Sequence, residues 1–185
     1  MSVAFRHALY LAGLALLLSV AADLEETQAK NAPKTVSALN SVVGDSTLLA
    51  HKVVYVDFWA SWCAPCKQSL PWMRELLARD AAKGLQIIAI NVDRKPSDAR
   101  DFLDHLKSPL QEVTESPVSW DNLFKGVVFD STWTLAKLYG LDALPTSFVY
   151  GRDGTLRKEQ QGFETRDTLP LDSLLTSLLA EKTPK

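Results

Sequence analysis

VVYVDFWASWCAPCKQSLP, residues 53–71, holds both cysteines of the 185-residue chain, Cys63 and Cys66, two residues apart. The residues before them, Val53 to Trp59, are nearly all β-branched or aromatic and predict a strand buried on both faces. The residues after them predict a helix from about Cys63 to Ala82. Leu70, Met73, Leu76 and Leu77 recur at helical spacing, Pro65 is tolerable in the first turn, and Gly84 supplies the stop. Pro71 falls inside that helix and predicts a kink there. The thiol pair thus sits where a buried strand hands over to a helix.

Outward from this junction the pattern repeats. Leu85 to Val92 predicts a second buried strand, and Ser97 an N-cap for a helix through Lys107 with Phe102, Leu103 and Leu106 facing inward. Continuous apolar strands joined by helices imply an α/β fold, a parallel sheet covered on both faces. Ser108 to Lys125, with Pro109 and Pro117, is less regular and predicts an excursion from the core. Val127 to Phe129 predicts a short strand, and Thr132 to Tyr139 a helix stopped by Gly140. Thr146 to Tyr150 and Thr155 to Gln160 predict two strands joined at Gly151-Arg152-Asp153-Gly154, a hairpin turn. A last helix, Leu169 to Glu181, presents Leu171, Leu174, Leu175, Leu178 and Leu179 inward. Lys30 to His51 carries little pattern.

Composition is that of a globular domain, with 46% hydrophobic and 23% charged residues. A formal net charge of −2 and no basic stripe argue against a nucleic-acid partner. The start differs. Arg6 precedes the uncharged run Ala8 to Ala22, and Asp23, Glu25 and Glu26 follow it at once. This is the layout of a secretory signal, residues 1–22, with cleavage after Ala22 or Ala29. The alternative is an N-terminal membrane anchor, although the run is shorter than the roughly 17–25 residues a span needs. Residues 30–185 are then the folded domain, at work outside the cytoplasm in an oxidising compartment such as a periplasm.

The cysteine spacing limits the chemistry. As a staple the pair closes a four-residue loop, which the chain-entropy model values at about 1.9 kcal/mol, against roughly 3 for fifteen residues. As a zinc site it supplies two ligands of four, and His51 and His105 lack paired spacing. The redox reading has a mechanism. At a helix N-terminus the unpaired N–H groups favour a negative charge, which lowers the Cys63 thiol pKa. Cys63 attacks a substrate disulfide, and Cys66, one turn on, resolves the mixed disulfide.

Strand, Trp-Cys-x-Pro-Cys, a helix with Pro71, and Leu144-Pro145-Thr146 ahead of a hairpin resemble the thioredoxin superfamily, from about Val53 to the last helix. WASWCAPC, YGLDALPTSFVYGRDG and the secretory start resemble its TlpA-like branch of periplasmic thiol–disulfide enzymes. The resemblance implies a thioredoxin fold: a central mixed sheet flanked by helices. It implies that Asp57 is a buried acid behind the pair and the proton acceptor for Cys66. It implies that the Leu144–Pro145 bond is cis and brings the Leu144 backbone beside Cys63, where a substrate strand pairs, and that Trp62 contacts substrate. The sequence departs from the family at Ser69, where many members carry a glutamate, and at Asp57, where many carry asparagine. Ala89 occupies the place of a lysine that approaches the acid in cytoplasmic thioredoxins.

The expected function is an extracytoplasmic thiol–disulfide oxidoreductase. The leading direction is reduction of protein disulfides, with electrons from a membrane-embedded thiol carrier and a place in cytochrome c maturation, without cofactor or metal. A disulfide-forming oxidase is the alternative. A Cu(I) chaperone is a third reading, with Met73 or His105 as the only further ligands on offer. Trp59 reads as packing, and Trp72, Trp120 and Trp133 carry no functional assignment.

Overall fold

The computed structural model describes residues 33, 35–39, 47, 49–110 and 127–184, the side chains of 107–110 excepted. Residues 1–22, expected to be a signal or an anchor, lie outside the described residues, as do Trp120 and most of the expected Ser108–Lys125 excursion. Among the described residues no helix is long and apolar enough to cross a membrane.

Among the described residues five strands form one sheet: β1 (Val53–Trp59), β2 (Leu85–Asn91), β3 (Val128–Phe129), β4 (Thr146–Tyr150) and β5 (Leu156–Gln161), in the order β3-β2-β1-β4-β5. β1 pairs parallel to β2 and β2 parallel to β3, whereas β4 runs antiparallel to both β1 and β5. The sheet is therefore mixed. The unbroken apolar sequence of β1 is explained by its central place: all seven residues are buried. β5, at the edge, alternates instead between half-buried and exposed.

Among the described residues four helices cover the sheet: α1 (Cys66–Asp80), α2 (Pro96–Leu110), α3 (Thr134–Leu138) and α4 (Thr168–Ala180). Alternation along β1 puts Tyr55, Asp57 and Trp59 on one face and Val54, Val56 and Phe58 on the other. Tyr55 meets Trp72 of α1 and Trp59 meets Phe102 of α2, each with ring centroids 5.8 Å apart. Both helices thus cover the first face, as two right-handed crossovers stepping in one direction require. Arg79 of α1 pairs with Asp172 at 3.1 Å, which sets α4 beside α1. On the second face Phe58 packs at 5.0 Å from Tyr139, the residue that closes α3.

Several boundaries differ from those expected. α1 begins at Cys66 rather than Cys63, because Ala60 to Pro65 is spent on the turn that reverses the chain, with the Cys63 N–H donating to the Ala60 carbonyl at 3.1 Å. It ends at Asp80 and continues as one 3-10 turn, Ala81–Lys83, before Gly84 at φ 99°. Pro71 lies inside α1. Ser97 is not an N-cap: α2 starts at Pro96, whose fixed φ suits a first helical position, and the Ser97 hydroxyl bonds the Asp98 carboxylate at 3.2 Å. α3 is shorter than expected, and α4 is preceded by a 3-10 turn, Thr165–Asp167, closed by a reciprocal Glu164–Asp167 cap.

Candidate active site

The C-terminal ends of β1 and β2 and the start of β4 lie together, since Trp59 pairs with Asn91 and Phe58 with Thr146. The turn after β1 therefore emerges among three elements that are remote in sequence. Asp93, just past β2, holds it: the Ser61 N–H and hydroxyl both donate to the Asp93 carboxylate, at 3.0 and 3.1 Å. Asn91 braces Asp93 from behind, its Nδ2 donating to that carboxylate at 2.8 Å and its Oδ1 accepting the Asp93 N–H at 3.1 Å. Asn91 and Asp93 are both buried.

Cys63 and Cys66 form a disulfide across this turn, with S–S 2.02 Å. Cys63 is 4% exposed and Cys66 is fully buried, so only the Cys63 sulfur is open to attack from outside. Although Cys63 precedes α1, its Sγ accepts the N–H of Cys66, the first residue of that helix, at 3.3 Å. The expected stabilisation of a Cys63 thiolate by the helix start keeps its geometric basis. Ser69 is buried and donates its hydroxyl to the Cys66 carbonyl at 3.3 Å, a bond within the helix and not one to a sulfur.

Asp57 lies on the α1 side of the sheet, 1% exposed, opposite Ala89 on β2 and Ser147 on β4. Its Oδ2 has no hydrogen-bond partner among the described residues. Ala89 cannot offer a cation, so burial pushes the Asp57 carboxyl well above the usual carboxylate range. The same burial, with Asp57 as second cause, raises the Tyr55 phenol.

The Leu144–Pro145 peptide is cis. Leu144, Cys63, Ala64 and Pro65 line a cleft of about 380 Å3 that Trp62, Trp133 and the segment Leu141–Ala143 complete. Trp62 is 64% exposed at its rim. Pro145 is buried behind Leu144, and its carbonyl accepts the Gly162 N–H at 2.7 Å. The structure thus brings Cys63, Trp62 and Leu144 to one cleft, with Cys66 buried and bonded to Cys63, and Asp57 buried on the preceding strand. Met73 is buried in the core, and the His105 ring nitrogen bonds the Asp101 carbonyl. Among the described residues no group of three or more His, Cys, Asp or Glu is placed to hold a metal.

Residues 21–159 match the AhpC/TSA family. The chain belongs to that family, within the thioredoxin superfamily. Its relatives are of the TlpA-like kind. The thiol-disulfide oxidoreductase ResA of Bacillus thuringiensis strain Al Hakam is 30% identical over 161 residues, 85% of this chain and 83% of that protein. ResA of Bacillus thuringiensis subsp. konkukian is 32% identical over 120 residues, a match that spans 60% of its length. Among solved structures, a Chlorobium tepidum protein assigned as the thiol:disulfide interchange protein DsbE superposes with a TM-score of 0.61 at 36% identity, covering 72% of this chain and 84% of that one. The thioredoxin fold that the resemblance implies is the one present.

Three residues of the site were missed by sequence reasoning. Asp93 and Asn91 had a weak signal, polar residues closing an apolar strand. Trp133 had none, because its contact with the site depends on the order of strands.

Proposed function

We propose that this chain is an extracytoplasmic thiol–disulfide oxidoreductase that works as a dithiol reductant of protein disulfides. The observation that carries the reading is the Cys63–Cys66 pair itself, one sulfur at the cleft and against the first amide of α1, the other buried. The family and its ResA relatives support it.

The reduced Cys63 thiolate attacks one sulfur of a substrate disulfide. The substrate S–S bond breaks, a Cys63–substrate bond forms, and the other substrate sulfur leaves as a thiolate that takes a proton from water. Cys66 then gives its proton to the Asp57 carboxylate and attacks the Cys63 sulfur. The second substrate sulfur leaves as a thiolate that takes a proton from water, Asp57 returns its proton to solvent, and the Cys63–Cys66 disulfide remains. The substrate has gained two electrons and the chain has lost two. Leu144, set by the cis bond to Pro145, pairs with the substrate backbone as an added strand, and Trp62 covers it. A membrane-embedded thiol carrier restores the dithiol. The direction rests on Cys-Ala-Pro-Cys, which lacks the histidine common between the cysteines of oxidising members; potentials in the superfamily span about −270 to −120 mV. The secretory-like start supports export, with residues 1–22 removed or kept as an anchor, and the TlpA-like resemblance supports service in cytochrome c maturation.

Insulin reduction tests the activity: the wild type precipitates insulin chains, Cys63→Ser does not, and Cys66→Ser accumulates a mixed disulfide. Equilibration with glutathione tests the direction. A potential near the upper end of that span overturns the reductase reading in favour of an oxidase. Failure of iodoacetamide to label Cys63 faster than a free thiol at neutral pH overturns the mechanism.

A further inference from the structure

We propose that Trp133 is a specificity-determining residue, which selects substrates carrying a bulky apolar side chain next to the cysteine that Cys63 attacks. This rests on Cys63 being the attacking sulfur. Trp133 sits at φ 60°, ψ 27°, the left-handed region in which a β-carbon crowds the backbone. Among the described non-glycine residues only His51 shares a positive φ. Glycine would take this turn without strain, so the turn itself gives no reason for an indole. Strain at such a position points to a task for the side chain.

The surroundings hold the ring in one place. The Trp133 N–H donates to the Asp130 carbonyl at 2.9 Å. The Asp130 carboxylate takes the N–H groups of Thr134 and Ala136, each at 2.8 Å, and so fixes the start of α3. The indole N–H donates to the Val92 carbonyl at 3.0 Å, one residue before the aspartate that clamps the Cys63 turn. Trp133 and the active-site turn are thereby referred to the same end of β2.

The ring is held where substrate must pass. Trp133 and Trp62 are the two residues common to the Cys63 cleft and a second cleft of about 690 Å3, which Arg94, Asp98 and Lys137 edge. With Cys63 only 4% exposed, a substrate sulfur reaches it by lying down in the first cleft, between the two indoles. Apart from Asp142, the side chains lining that cleft are apolar or sulfur-bearing. A polar neighbour of the substrate cysteine would lose its water there without a partner, whereas an aromatic or aliphatic one gains contact with two rings. The second cleft, with charges of both signs, takes the polar continuation of the substrate chain.

The test uses two disulfide-linked peptide pairs that are identical except for Phe or Asp beside the cysteine. Wild-type kcat/KM should favour the Phe peptide roughly tenfold, the scale of a well-fitted apolar contact. Trp133→Ala should bring the ratio close to one, and Trp133→Phe should keep most of it. Trp133→Gly, at ease at this φ, supplies the same readout if the alanine variant does not fold. An unchanged ratio in the Ala or Gly variant, or a wild type that turns over both peptides without preference, overturns the inference. A wild type inert toward both peptides and toward insulin overturns the redox reading beneath it.

Discussion

The two ends of the sheet treat buried polarity in opposite ways. At the end where β1 begins and β4 stops, Arg152 of the hairpin turn is spent on backbone carbonyls. It donates to His51 at 3.0 Å, Lys83 at 2.8 Å and Leu179 at 3.0 Å, tying the entry to β1, the end of the first crossover and the end of α4. The turn is closed locally as well, with Asp153 accepting from the Thr155 N–H and hydroxyl and Gly154 at φ 76°. At the other end Asp57 is buried without a cation, Trp133 is strained, and Cys63 lines a cleft. One end uses its charge to hold the fold together. The other buries an acid without a cationic partner where chemistry is done, and burial penalises its charged form.

The largest effect that sharpens this contrast is at Asp57. Asp57→Asn should slow resolution of the mixed disulfide by roughly 10²-fold, the scale of a lost proton acceptor, while attack by Cys63 changes far less. Stopped-flow kinetics of the two steps reads this directly, and equal slowing would remove Asp57 from the proton path. The same variant should be more stable than the wild type at neutral pH. The sign follows from the raised carboxyl: between about pH 4, where the unfolded chain loses this proton, and the higher folded pKa, the folded state holds more protons. Wild-type stability therefore falls as pH rises through that window. The advantage of Asp57→Asn should grow across it and be flat above, as thermal denaturation at several pH values would show.

Arg152→Ala comes next. It removes three charge-assisted bonds, two of them at exposed sites where water replaces the guanidinium, and should cost about 1–2 kcal/mol in urea denaturation, with the rate of thiol–disulfide exchange unchanged. A changed rate would mean that the two ends are coupled through the sheet. The smallest effect is expected at Ser69→Ala, which loses a weak bond within α1: about 0.5 kcal/mol of stability and no measurable change in the pH dependence of Cys63 alkylation. A clear shift in that dependence would show that the hydroxyl acts on the sulfur after all.

How far the sequence could be read varies with the range of the signal. β1 and β4 were legible to the residue, because an apolar run between turn residues is a local property. The starts of α1 and α2 were not. They depend on whether a few residues are needed for a turn or are free to join a helix, and Ala60 to Pro65 and Pro96 settle that differently. At the site Cys63, Cys66 and Asp57 could be named from spacing and resemblance, and the cis Leu144–Pro145 bond expected from resemblance is present. Asp93 and Trp133 could not, since each matters through a partner far along the chain, and Asn91 matters through Asp93.

Sequence alone determined most of the elements and the thiol pair at a strand-to-helix junction, because periodicity and helix-end chemistry act over a few residues. The tertiary structure decided which residues converge on Cys63. Strand order β3-β2-β1-β4-β5 brings the ends of β1 and β2 and the start of β4 together, and Trp133 and Trp62 line one cleft there. That order follows from how the whole set of apolar faces is buried at once, which no single stretch of sequence encodes.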